Sequence, residues 1–184
     1  MLFKIQRHVN MIYLLITECR GAEFVLGADQ LFERYIQCVV NWKQSFDVKI
    51  YEICCVKNYI YEVIKISDHI KFKDIKISKY NSDNVFLNKK IQYKLLQDED
   101  YAYKTLYYCE WKPVIMGLVS HPRDWLFSGY RFHLENNVSG IFAKVLDHLH
   151  CIDPLYSIVD GMPIAEIGSL VEDKFCKVIG DKSL

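Results

Sequence analysis

The chain has 184 residues, 51% of them hydrophobic and 25% charged, enough to bury one main core with a small appendage. Its 23 basic and 23 acidic residues leave no net charge, which speaks against the strong, general grip on phosphates that a basic excess provides. Seven cysteines, an odd number without CxxC spacing, read as reduced thiols in a cytoplasmic protein and not as a disulfide framework or zinc site.

Near the amino terminus Lys4, Arg7 and His8 precede an apolar run, Met11 to Ile16, too short to cross a bilayer and without a small-residue cleavage site, so neither export nor membrane insertion is expected. Met11 to Thr17 suits a buried strand, and Gly21 and Gly27 mark a loop. From Ala28 to Ser45 the apolar residues Leu31, Phe32, Tyr35, Ile36, Val39, Val40 and Trp42 recur at threes and fours, which predicts a helix with Asp29 as cap or first-turn acid. Val48 to Cys55 and Asn58 to Ile66, rich in Ile, Val and Tyr and parted by Lys57-Asn58, predict a hairpin. Residues 71–84 keep no period and read as irregular or as one short element. Between Lys65 and Lys94 stand eight lysines against three aspartates, either a local basic face or a solvated run. Val85 to Leu96 predicts another strand. Asp98 to Trp111 predicts an amphipathic helix opened by acids and stopped by Pro113. Helical stretches at Ile141 to Leu149 and Ile164 to Ile179, around the turn-like Asp153-Pro154, complete the chain.

This order predicts an α+β fold, a ferredoxin-like antiparallel sheet with helices packed on one face over residues 1–135, followed by a helical extension over 136–184. His148-Leu149-His150, beside Asp147 and Cys151, is a weak metal-site candidate, since residues two apart on a helix diverge. No GxSxG, phosphate-cradling glycine loop or HExxH occurs.

From Tyr108 the chain reads Tyr-Cys-Glu-Trp-Lys-Pro-Val-Ile-Met-Gly-Leu-Val-Ser-His-Pro-Arg-Asp-Trp-Leu-Phe-Ser-Gly-Tyr-Arg. This string resembles, without a gap, the closing signature of the REP-associated tyrosine transposases, single-stranded DNA-cutting proteins. The matching positions are Tyr108, Pro113, Val114, Gly117, Leu118, Val119, Pro122, Asp124, Trp125, Ser128, Tyr130 and Arg131. Phe127 stands for a family Trp, Lys112 for Asn and Gly129 for Ser. Read as structure alone, Pro113 and Gly117 set turns, Trp125 and Phe127 fill core, and Arg131 pairs with Asp124.

The resemblance extends upstream through Phe24-Val-Leu, Phe32-Glu-Arg and the hairpin. There Val56-Lys57-Asn58-Tyr59-Ile60-Tyr61 takes the place of the family's HUH motif, in which two histidines on one strand face hold a metal ion. Tyr59 and Tyr61 occupy the histidine positions, and a phenol is a poor ligand for the magnesium or manganese that such cleavage requires. The resemblance makes Tyr80 the candidate nucleophile and Lys112, Arg123 and Arg131 candidate DNA contacts, to which the lysine-rich stretch adds Lys89 and Lys90. It implies single-stranded or hairpin DNA as partner, allows a homodimer, and calls for magnesium or manganese only if the protein cuts. Three readings stay open: a DNA-binding protein that has lost cleavage; an active enzyme with a site rearranged around Tyr61, Tyr80 or the His148/His150 pair; and a structural or interaction remnant that binds no DNA.

Overall fold

The computed structural model describes residues 11–19, 21, 23–25, 27–66, 89–96, 99–135 and 142–147. Four strands, β1 (Met11–Cys19), β2 (Val48–Val56), β3 (Tyr59–Ile66) and β4 (Lys89–Leu96), form one antiparallel sheet in the order β2-β3-β1-β4. The long helices are α1 (Asp29–Ser45) and α2 (Glu99–Ile115), and a short helix, α3 (Tyr130–Glu135), follows a 3₁₀ turn at Pro122–Asp124. The α+β class and the antiparallel sheet are those expected. No helix among the described residues is long and apolar enough to cross a membrane.

Cross-strand partners share a face, so the register sorts the sheet into two sides. Leu15, Ile53, Ile60, Glu62 and Ile64 lie on one, and α1 reaches it where the Tyr35 hydroxyl donates to Glu62 at 2.5 Å. Ile16, Glu52, Cys54, Tyr61, Val63 and Lys94 lie on the other, where the Lys94 ammonium meets the Tyr101 hydroxyl of α2 at 2.5 Å. The two long helices therefore flank the sheet instead of sharing one face. That arrangement explains why β2 and β3 read as almost unbroken apolar runs: both of their faces are covered.

α1 buries the stripe Phe32, Tyr35, Ile36, Val39 and Trp42, with Asp29 as its first-turn acid and Ala28 at the cap. α2 departs from the amphipathic expectation. Tyr101 to Tyr103 and Thr105 to Glu110 are all buried, so the helix is covered on nearly every side. Nor does Pro113 stop it. The helix runs to Ile115, and Gly117, at φ +69°, closes it: Gly117 N–H donates to the Val114 carbonyl and Leu118 N–H to the Pro113 carbonyl, both at 2.9 Å. A proline so near the end removes one helical hydrogen bond, while the positive φ that turns the chain away needs a glycine.

The segment after α2 closes the open edge of β2. Cys55 N–H donates to the Phe127 carbonyl at 2.8 Å and Gly129 N–H to the Ile53 carbonyl at 3.1 Å, while the Trp125 indole donates to the Cys55 carbonyl at 2.9 Å. Trp125 and Phe127, 1% and 2% exposed, are core residues as expected. Further along this edge, Asp147 N–H donates to the Ile50 carbonyl at 2.7 Å, and the Asp147 carboxylate accepts from Ile50 N–H at 2.8 Å and from Lys43 Nζ at 2.6 Å. These bonds hold Asp147 against the strand, so the helix expected from Ile141 is, among the described residues, a single 3₁₀ turn at Phe142–Lys144. The rest of the expected extension, 136–141 and 148–184, lies outside the described residues, as does the stretch 71–84 expected to be irregular or one short element.

Candidate functional site

Tyr59 and Tyr61 sit two apart on β3, so their rings share the α2 face of the sheet, with centroids 6.2 Å apart. Tyr59 is half-buried and Tyr61 is buried. Pairing extends this row across the sheet: Glu18 of β1 stands opposite Tyr59, and Lys90 of β4 opposite Glu18. From above, α2 lowers Lys112, whose ammonium lies 5.5 Å from the Tyr61 ring centroid and 4.3 Å from that of Tyr108. At 8% exposure this is a buried cation resting on two aromatic faces.

That donor set does not suit magnesium or manganese. Both ions want carboxylate, carbonyl or water oxygens, or at least neutral imidazole, and here the paired groups are phenols. A fixed ammonium beside Tyr61 adds like-charge repulsion in a place of low dielectric. What the arrangement offers is a positive charge set among aromatic faces.

The remaining candidates divide by accessibility. Arg123 and Arg131 are exposed and lie together: Arg131 Nε donates to the Arg123 carbonyl at 2.8 Å, and Arg123 donates through N and Nε to His121 Nδ1 at 3.1 and 3.2 Å. The expected pairing of Arg131 with Asp124 is replaced by this carbonyl contact, because the 3₁₀ turn presents its backbone oxygen to the guanidinium. The His121 ring packs at a tilt against Trp111 and edge-on against Tyr130, with centroids 5.8 and 5.6 Å apart, which ties the arginine pair to the last turns of α2 that carry Lys112. Lys90 is exposed on β4, and Lys89 opens that strand opposite Cys19. Tyr80, His148 and His150 lie outside the described residues.

Sequence reasoning missed a second cluster on the same sheet face, one pleat from Tyr61. Glu52 of β2, Glu110 of α2 and His133 of α3 meet there, with His133 Nδ1 2.7 Å from Glu110 Oε1 and 3.5 Å from Glu52 Oε2. Burial, then the neighbouring Glu110 charge, push the Glu52 carboxyl well above its ordinary value. Burial does the same to the adjacent thiols of Cys54 and Cys109, which are therefore protonated and inert as nucleophiles. A glutamate inside the continuous apolar run of β2 was the available signal.

The sheet, its flanking helices and the segment closing β2 define a transposase-like α+β fold. No family model matches the chain, and no curated protein does. Among solved structures it is similar to a REP-associated tyrosine transposase bound to a REP hairpin, with a TM-score of 0.57 and 12% identity over 83% of this chain and 93% of that one. The structural relationship implied by the string from Tyr108 to Arg131 is thus present in the fold.

Proposed function

We propose that the protein recognises hairpin or single-stranded DNA and does not cut it. The observation that carries this reading is the pair Tyr59 and Tyr61 under the Lys112 ammonium, at the positions that the resemblance matches to the family's metal-binding histidines. With phenols and a cation there, a scissile phosphate meets no Lewis acid. Binding has different requirements. The exposed guanidinium groups of Arg123 and Arg131 supply phosphate contacts, the exposed Lys90 on β4 adds a further cation with Lys89 beside it in sequence as another candidate contact, and the half-buried Tyr59 ring offers a stacking surface for a base. The structural neighbour was captured with a hairpin, and the shared fold is the support for the same class of ligand here. The balanced overall charge fits recognition through a local patch better than general affinity for nucleic acid. The reading takes the protein to be cytoplasmic, and sedimentation with and without DNA distinguishes a monomer from a homodimer.

Fluorescence anisotropy with a labelled hairpin and a scrambled single strand at moderate salt tests recognition. Incubation of labelled hairpin with protein and manganese, read on a denaturing gel, tests cutting. The expected results are preference for the hairpin and no covalent adduct. Equal affinity for both DNAs removes the recognition claim, and an adduct removes the claim of lost chemistry.

A further inference from the structure

The interior cluster beside the β3 tyrosines has the make-up of a metal site. The side chains of Glu52, Glu110 and His133 are fully excluded from solvent, and one ligand atom from each lies within 4.8 Å of the other two. Burying two carboxylates beside a single imidazole is costly unless something balances their charge. The hydrogen bonds present do not complete that balance. Glu52 Oε1 accepts from the Gly129 amide at 3.1 Å and His133 Nδ1 is bonded to Glu110, yet Glu52 Oε2, buried and directed at His133, has no hydrogen-bond partner. The backbone keeps room for that carboxylate: a Cβ at position 129 would overlap Glu52 Oε2 and stand 3.2 Å from its Cδ.

We propose that Glu52, Glu110 and His133 form a binding site for a divalent cation of the zinc type, tying β2, α2 and α3 together. Two carboxylates and a neutral imidazole around such an ion sum to zero charge, the condition a dry interior favours. Oxygen and nitrogen donors about 2.0–2.1 Å from zinc in a tetrahedral shell stand roughly 3.3 Å apart. His133 Nδ1 stands 2.7 and 3.5 Å from the two carboxylates, on either side of that spacing, and all three donors lie within 4.8 Å of one another, so the carboxylates would draw together around the ion. The Gly129 amide, bonded to the other oxygen of Glu52, orients that ligand from outside the shell. Because the donors come from positions 52, 110 and 133, the ion fastens the carboxy-terminal segment to the hairpin and contributes to folding.

The test uses the full chain, freed of metal by chelator and dialysis, titrated with zinc by calorimetry and followed by thermal melting. One equivalent of zinc and a rise in Tm are expected, with affinity falling at least tenfold in E52Q and in H133Q. E52Q is nearly isosteric and removes a buried acid, and far-ultraviolet circular dichroism confirms that each variant is folded before titration. The variant H148A/H150A is expected to bind as the parent does. The proposal is overturned if the parent shows no saturable binding, if E52Q and H133Q bind as well as the parent, or if H148A/H150A loses the ion. None of these readouts involves DNA, so the hairpin reading stands or falls separately.

Discussion

Gly129→Ala tests the packing around the buried carboxylate. The glycine's φ lies outside the left-handed region, so an alanine there is free of backbone strain and its whole cost comes from what the new methyl meets. It meets Glu52 Oε2 by overlap and Leu146 Cδ1 at 2.7 Å. The leucine methyl is the end of a flexible side chain and can swing aside. The carboxylate is held, since its other oxygen is bonded to the Gly129 amide at 3.1 Å and its surroundings are the side chains of Glu110 and His133. Overpacking of this kind costs ~1–3 kcal/mol, and displacing the Glu52–Gly129 hydrogen bond adds ~1 kcal/mol. The sum, ~2–4 kcal/mol, lowers the urea midpoint by roughly 1–2 M at a slope of ~2 kcal/mol per M. The assay is a urea double-mutant cycle with Glu52→Ala. Once the carboxylate is gone, Gly129→Ala should cost under ~1 kcal/mol, leaving a coupling of at least ~1 kcal/mol between the two positions. A Gly129→Ala midpoint equal to that of the parent, or the same cost in both backgrounds, refutes the argument that the glycine is there for Glu52.

The raised Glu52 pKa sets a pH dependence. The folded state keeps a proton that the unfolded chain releases near ~4.3, so this stabilising contribution is full below that pH and is lost as pH rises through the folded value. Urea midpoints in chelator from pH 4 to 8 should therefore favour E52Q over the parent increasingly toward higher pH, and a pH-independent difference refutes the assignment. Tyr35→Phe removes the hydroxyl that donates to buried Glu62 at 2.5 Å, and a loss of ~1–3 kcal/mol is expected by chemical denaturation. Arg123→Ala and Arg131→Ala should each weaken hairpin binding and reduce the slope of log K against log salt by ~1, with melting temperatures little changed because both side chains are exposed. The combined change Y59H/Y61H/K112N removes the ammonium and places two imidazoles on one strand face, so electron paramagnetic resonance should count one more bound manganese per chain than in the parent.

The elements that could be read from the sequence are those whose pattern is set by one neighbour. α1 packs one stripe on one sheet face, and its apolar spacing is therefore visible. The hairpin is short and bounded, so its strands and the Lys57-Asn58 turn follow from residue type, with Lys57 at φ 50° where the chain reverses. α2 resisted the same treatment because it is covered on several sides at once, by the sheet through Lys94 and Tyr61 and by the later segment through His121 and His133. A period of 3.6 carries no information about a second covering layer. Glu52 was passed over for a related reason. A lone acid in a strand reads as solvent-facing when the strand alternates, but Ile50 to Val56 does not alternate, and a glutamate in a strand buried on both faces has to be satisfied from inside.

The departures from the family string gain their weight from these contacts. Glycine in place of serine at 129 leaves space for the Glu52 carboxylate, so that change belongs with β2 and not with the loop in which it is written. Lys112, where the resembling string has asparagine, rests its ammonium on Tyr61, a position that the resemblance alone matches to a family histidine. Lysine at 112 and tyrosine at 61 are two sides of one contact: an ammonium against a metal-bound imidazole is repelled, while against a tyrosine face it is attracted. A metal-binding histidine pair at 59 and 61 would therefore need Lys112 changed together with the two tyrosines.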